Sequence, residues 1–143
     1  MKTKKTKQYT EKSIDELHSE SKLWISEIAF IRDEIRFLSH LLSAKYIDYL
    51  YEGLSSKIEN FTKKMTEEIN SGKILVDSIE THELLLPELT EKDNLINNIQ
   101  YQESHTKLKN AVEIYLVQYK ILKKQIFEVV EKVMQKKNQK KLV

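Results

Sequence analysis

The chain has 143 residues, 40% of them hydrophobic and 32% charged, with 2 Gly, 1 Pro and no Cys. So few turn-forming positions exclude sandwiches, barrels and βαβ units, and the missing cysteine excludes a disulfide framework, a thiolate metal site and a cysteine nucleophile. The net charge of +2 conceals a segregation, since residues 1–12 carry +4, residues 132–143 carry +5 and the body between them carries −7.

The basic start from Met1 to Thr10 is followed by no apolar stretch, so it lacks the hydrophobic region of a secretory signal. No run approaches the ~18 apolar residues of a membrane span. A cytoplasmic protein is the expectation.

Ser13-Ile-Asp-Glu16 has the form of a capping box, and a helix is expected to start there. Ile14, Leu17, Ser21, Trp24, Ile28, Ile31, Ile35, Leu38 and Leu42 then follow one another at spacings of 3 and 4, which places them on one stripe. Ile25, Phe30, Phe37 and Leu41 lie off that seam and widen the apolar surface, so at least two partner helices are needed to cover it. The first hairpin falls between Ser43 and Ser56. Gly53 is its expected stop, because a glycine just past a helix takes the left-handed conformation cheaply, and Ser56-Lys-Ile-Glu59 reads as a second capping box.

The second long helix carries Leu54, Ile58, Phe61, Met65 and Ile69, and Val76 and Ile79 keep the same phase beyond Gly72. A lone helical Gly costs about 1 kcal/mol relative to Ala, so the helix is expected to be kinked or weakened at Gly72 and to end near Leu85, before Pro87. Pro87 to Ser104 is polar and asparagine-rich; it reads either as a loop or as a short extra helix near 90–101, capped by Thr90-Glu-Lys-Asp93 and carrying Leu95, Ile96 and Ile99. The last helix is periodic through Leu108, Val112, Tyr115, Tyr119, Leu122, Ile126, Val129 and Val133 and is expected to end at about Lys137. Ile114, Leu116, Val117, Ile121, Phe127 and Val130 give it a second apolar face, as for a helix packed between two others or across a dimer interface.

The expected fold is therefore all-α, an antiparallel bundle of three long helices. A single domain over 13–137 would be flanked by flexible basic tails at 1–12 and 138–143. Leu17-His-Ser-Glu20, Leu23-Trp-Ile-Ser-Glu27, Phe30, Asp33-Glu34 and Phe37-Leu38 together resemble the opening helix of small uncharacterised bacterial helical-bundle, coiled-coil-like proteins. The resemblance covers about residues 13–65 and continues loosely through Phe61 and Met65, with His105 where the last helix of those proteins begins. It implies a helical bundle and carries no activity.

Carboxylate-bridged di-metal sites in bundles need Glu-x-x-His pairs on two helices, and this chain has none. Only Asp15 and His18 form a ligand-type pair at that spacing, and an acidic residue in a first turn is explained by the helix dipole. His105 continues the last seam backward from Leu108, so it either faces the core or caps that helix. Trp24, Tyr115 and Tyr119 fall on seams and read as core. Serines at caps and polar faces, with no Gly-rich phosphate cradle, give no catalytic constellation.

The expected function is thus a non-enzymatic structural or protein–protein interaction module that binds itself, as a homodimer, or another protein, with no catalytic residue, metal or cofactor. The alternative is an adaptor for anionic polymers or a membrane surface, acting through Lys2, Lys4, Lys5, Lys7, Lys136, Lys137, Lys140 and Lys141. Specific nucleic-acid reading is not expected, because of the 24 basic residues only Arg32 and Arg36 are arginine. The third reading is a helical-bundle metalloprotein.

Overall fold

The structure, a computed structural model, describes residues 13–86 and 95–142, with side chains described for 13–86 and 99–139. Among the described residues there are four helices and no strand: α1 (Ile14–Ala44), α2 (Tyr46–Tyr51), α3 (Ser55–Glu83) and α4 (Leu95–Leu142). The three long ones pack against one another, so the class is all-α and the architecture a helical bundle. The described residues form two compact units, one joining 13–29 to 73–86 and 95–114 and the other joining 30–72 to 115–142.

In the first unit, α1 opens at the expected cap. The Glu16 N–H donates to the Ser13 hydroxyl at 3.2 Å, and Asp15 and Glu16 place negative charge on the first turn. Leu17, Ser21, Trp24 and Ile28 are buried from α1, Ile79 and His82 from α3, and Tyr101, His105 and Val112 from α4. Ile14, at the open end of the seam, is only half-buried and packs with Leu86 against Leu17 and Tyr101.

In the second unit α1 contributes Ile31, Ile35, Leu38 and Leu42, and α3 contributes Ile58, Phe61 and Met65. From α4 come Tyr115, Tyr119, Leu122, Ile126, Val129, Val130 and Val133. The hairpin contains a six-residue helix, α2, which turns Tyr49 fully inward. Gly53 stops it with φ +72°; its N–H donates to the Leu50 carbonyl at 3.0 Å, and the Leu54 N–H donates to the Tyr49 carbonyl at 2.9 Å. This pair of bonds is a Schellman cap, and it supplies orphan carbonyls at the end of α2 with partners.

Three boundaries differ from the expectation. Ser56 lies inside the first turn of α3, which begins at Ser55 with the Ile58 N–H bonded to the Leu54 carbonyl, so Leu54 and not Ser56 holds the cap position. As expected, α3 runs through Gly72, which is buried. Residues 95–101 are the opening turns of α4 and not a separate short helix, because no Gly or Pro stands between Leu95 and Leu108 to break it; residues 90–94 lie outside the described residues. At the other end α4 continues through Leu142, beyond Lys137, since Gln135-Lys-Lys-Asn-Gln-Lys-Lys-Leu142 also lacks a breaker. No helix of the described residues is long and apolar enough to cross a membrane.

Candidate functional site

The densest polar cluster lies in the unit formed by the start of α1, the end of α3 and the start of α4. His82 and His105 are each only 3% exposed, an unusual depth for two histidines at once. Both occupy seam positions, His82 three residues after Ile79 and His105 three before Leu108, so helical phase alone drives the rings inward. His82 stacks on Tyr101 with ring centroids 4.0 Å apart, and His105 packs on Trp24 at 4.6 Å.

The polar contacts form a line. Ser104 Oγ is 3.1 Å from His82 Nδ1, and His82 Nε2 is 3.2 Å from His105 Nδ1. Beyond it, His105 Nε2 lies 3.6 Å from Glu20 Oε1, too long for a good hydrogen bond but close enough for charge attraction. One assignment of protons satisfies every contact: the Ser104 hydroxyl donates to His82 Nδ1, His82 Nε2–H donates to His105 Nδ1, and His105 Nε2–H faces the Glu20 carboxylate. The reverse assignment would point a nitrogen lone pair at that carboxylate. Burial, reinforced by the charge of His105, lowers the His82 pKa to about 4, so His82 is neutral at neutral pH.

Glu83 anchors a second set of contacts. His18 Nδ1 lies 2.5 Å from its Oε2, and the Tyr101 hydroxyl donates to its Oε1 at 3.0 Å. Burial alone would raise the carboxyl; the Ser21 hydroxyl, His18 and Tyr101 outweigh that and hold it below its ordinary range. Burial and the adjacent Glu83 push the Tyr101 phenol well up.

The Ser104, His82, His105 and Glu20 line superficially resembles a nucleophile, base and orienting acid. Ser104 sits inside a continuous helix, however, where the backbone N–H groups of its turn are bonded to carbonyls four residues back and are not free to act as oxyanion donors. Among the described residues no group of three His, Asp or Glu side chains is placed to hold a metal ion. Of the ligand-type pair Asp15 and His18, the histidine is turned to Glu83.

A smaller polar cluster lies in the other unit. Lys123 Nζ is 2.8 Å from Glu34 Oε1, and the Tyr119 hydroxyl donates to the same oxygen at 2.5 Å. Burial opposes ionisation of Glu34, but Lys123 and Tyr119 together keep its pKa low. Glu68 shares a seam position with Ile69, both half-buried, and its Oε2 is buried without a hydrogen-bond partner. Burial, with Glu67 nearby, raises the Glu68 carboxyl; burial, with Glu68 nearby, pushes the Tyr115 phenol up to about 12.

The lysines expected to contact anions are only partly within the described residues. Lys136 Nζ lies 3.3 Å from Glu52 and Lys137 Nζ 3.3 Å from Asp48. Lys2, Lys4, Lys5 and Lys7, and the side chains of Lys140 and Lys141, fall outside them. His105 is singled out from the sequence and His82 is passed over, although the latter's spacing of three from Ile79 is the signal for its burial. No protein-family model, curated protein or solved structure matches the chain.

Proposed function

We propose that the chain is a non-enzymatic interaction module, an antiparallel three-helix bundle that pairs with a second copy of itself. The contact between Ser39 and Met65, across the short connection from α1 to α3, supports antiparallel packing of those helices. The observation that carries the interaction reading is the exposure of Phe30 and Phe37, 64% and 58%, two turns apart on one face of α1. Single exposed apolar residues are ordinary, but two phenylalanines at heptad spacing form a row suited to another helix. Val117 and Ile121, one turn apart on α4, are exposed to a similar degree.

The test is sedimentation equilibrium of the wild-type chain and of the Phe30→Ser, Phe37→Ser double variant. A homodimer at micromolar concentration is expected, weakened at least about tenfold in the variant because each buried phenylalanine contributes roughly 1.5–3 kcal/mol. A monodisperse wild-type monomer at that concentration overturns the pairing.

A further inference from the structure

The connection between α1 and α3 is unlike an ordinary polar turn. Within α2, Tyr49 is fully buried, while Ile47 and Tyr51 are each 80% exposed and Tyr46 and Leu50 are 40% and 46% exposed. Two aliphatic side chains and two phenol rings thus face outward in six residues, where covering the seam requires only Tyr49. Connections usually carry polar residues.

The last turns of α4 lie beside this patch. Ile47, Tyr51, Val133 and Lys137 share the walls of a cavity of about 240 Å³ with Asp48 and Glu52, and Met134 adds a further exposed apolar side chain. From Lys132 onward the sequence holds five lysines and no acidic residue, on a backbone that is helical through Leu142. The exposed Lys136 and Lys137 meet the half-buried Glu52 and Asp48 at 3.3 Å, leaving their ammonium groups open to solvent on the outer side.

We infer that this end of the unit is a docking surface for an anionic lipid membrane, with α2 entering the headgroup boundary and the lysines of α4 meeting the lipid anions. Tyrosine rings favour that boundary, with the apolar body inside and the hydroxyl wet. Lysines near an anionic leaflet gain from its surface potential, and an apolar anchor and a basic cluster that are each weak alone add to stable binding. A soluble polyanion would engage the lysines but offers Ile47 and Leu50 no apolar phase. A second copy docked here would meet the patch with its own counterpart across a two-fold axis and bring the two lysine-rich ends together. This surface is distinct from the Phe30 and Phe37 row and does not depend on dimerisation.

The experiment is co-sedimentation of the full chain with phosphatidylcholine vesicles, with and without phosphatidylserine. It is run in parallel with heparin retention and sedimentation of the free protein. Binding is expected only with phosphatidylserine present, reduced by salt, and weakened at least about tenfold by Ile47→Ser with Tyr51→Ser, since those substitutions remove apolar area without changing the charge. Heparin retention should be unchanged by the same double variant, and circular dichroism should show its helix content intact. Lys136→Ala with Lys137→Ala should lower both vesicle and heparin binding. Absence of vesicle binding at physiological salt overturns the inference. So does vesicle binding that the Ile47 and Tyr51 substitutions leave unchanged, which would assign it to the lysines alone. A change in association state caused by those substitutions would assign the patch to a second copy and equally overturn it.

Discussion

His82 Nε2 faces His105 Nδ1 at 3.2 Å, a separation that accommodates one shared proton and not two. Around this pair stand Ser104, Glu20, Tyr101 and Trp24, with Glu83 and His18 one contact further out. The contacts of His82 with Ser104 and His105 suit its neutral state.

Stability should therefore fall in acid. His82 titrates near 4 in the folded chain and near the ordinary 6.5 when unfolded, so between those values the unfolded chain binds the extra proton. The contribution is fully present above about pH 6.5 and is lost as the pH falls towards 4, amounting to about 3 kcal/mol across that window. Glu83, whose pKa is lowered, adds a loss in the same direction at still lower pH. Urea midpoints measured from neutral pH downward should show the decline, and His82→Gln should flatten it; a variant curve parallel to wild type would contradict this account.

The seam and the outer face of α1 should differ sharply on truncation. Trp24 and Ile31 are 7% and 5% exposed, so Trp24→Ala should cost on the order of 3–5 kcal/mol and Ile31→Ala about 2–5 kcal/mol. Phe30, beside Ile31 in sequence, is 64% exposed, and Phe30→Ala should change monomer stability by no more than about 0.5 kcal/mol. Chemical denaturation at concentrations below dimerisation separates the two classes.

Gly53→Ala tests the cap of α2 without steric complication. A methyl group there would meet no atom within 4 Å, yet φ is +72°, so the whole cost is backbone strain. A loss of about 1–2 kcal/mol is expected, with Gly53→Asn less damaging because asparagine tolerates this region better. Equal losses for the two substitutions would show that something other than φ is being measured.

Glu68 is the residue whose replacement should help. Its carboxylate stands on the α3 seam with one oxygen buried and unpartnered, and its raised pKa means that ionisation at neutral pH opposes folding. Glu68→Leu should stabilise the chain by roughly 0.5–2 kcal/mol, read as an increased denaturant midpoint at neutral pH. A decrease would indicate that the carboxylate holds a partner in solution.

The helical seams were legible in the sequence because alternation of 3 and 4 residues is a geometric requirement of a packed helix. Each expected seam residue of α1 from Leu17 to Leu42 is buried, including Ser21, which no hydropathy scale would select. His82 and Glu68 escaped for the converse reason. Polar side chains are read by what they bind before where they point, although spacing from Ile79 and Met65 already placed both on the α3 stripe. The partners of Lys136 and Lys137 were out of reach, since Glu52 and Asp48 lie 84 and 89 residues away in sequence and meet them only once α2 folds back. The starts of α3 and α4 shifted because a cap motif is a local preference, whereas a helix continues until something stops it.

The Schellman cap at Gly53 has a kinetic counterpart. Its two bonds close within six residues, from Tyr49 to Leu54, whereas the bond from Tyr119 to Glu34 closes a separation of 85. Loop-closure entropy grows with separation, so during refolding the α1 to α3 turn should form early and α4 should dock onto it afterwards. Substitutions at Gly53 should then act mainly on the folding rate, and Tyr119→Phe mainly on the unfolding rate. On that order of events a hairpin formed before α4 docks would leave its apolar seam facing water, where encounter with another unfinished chain would compete with completion of its own bundle.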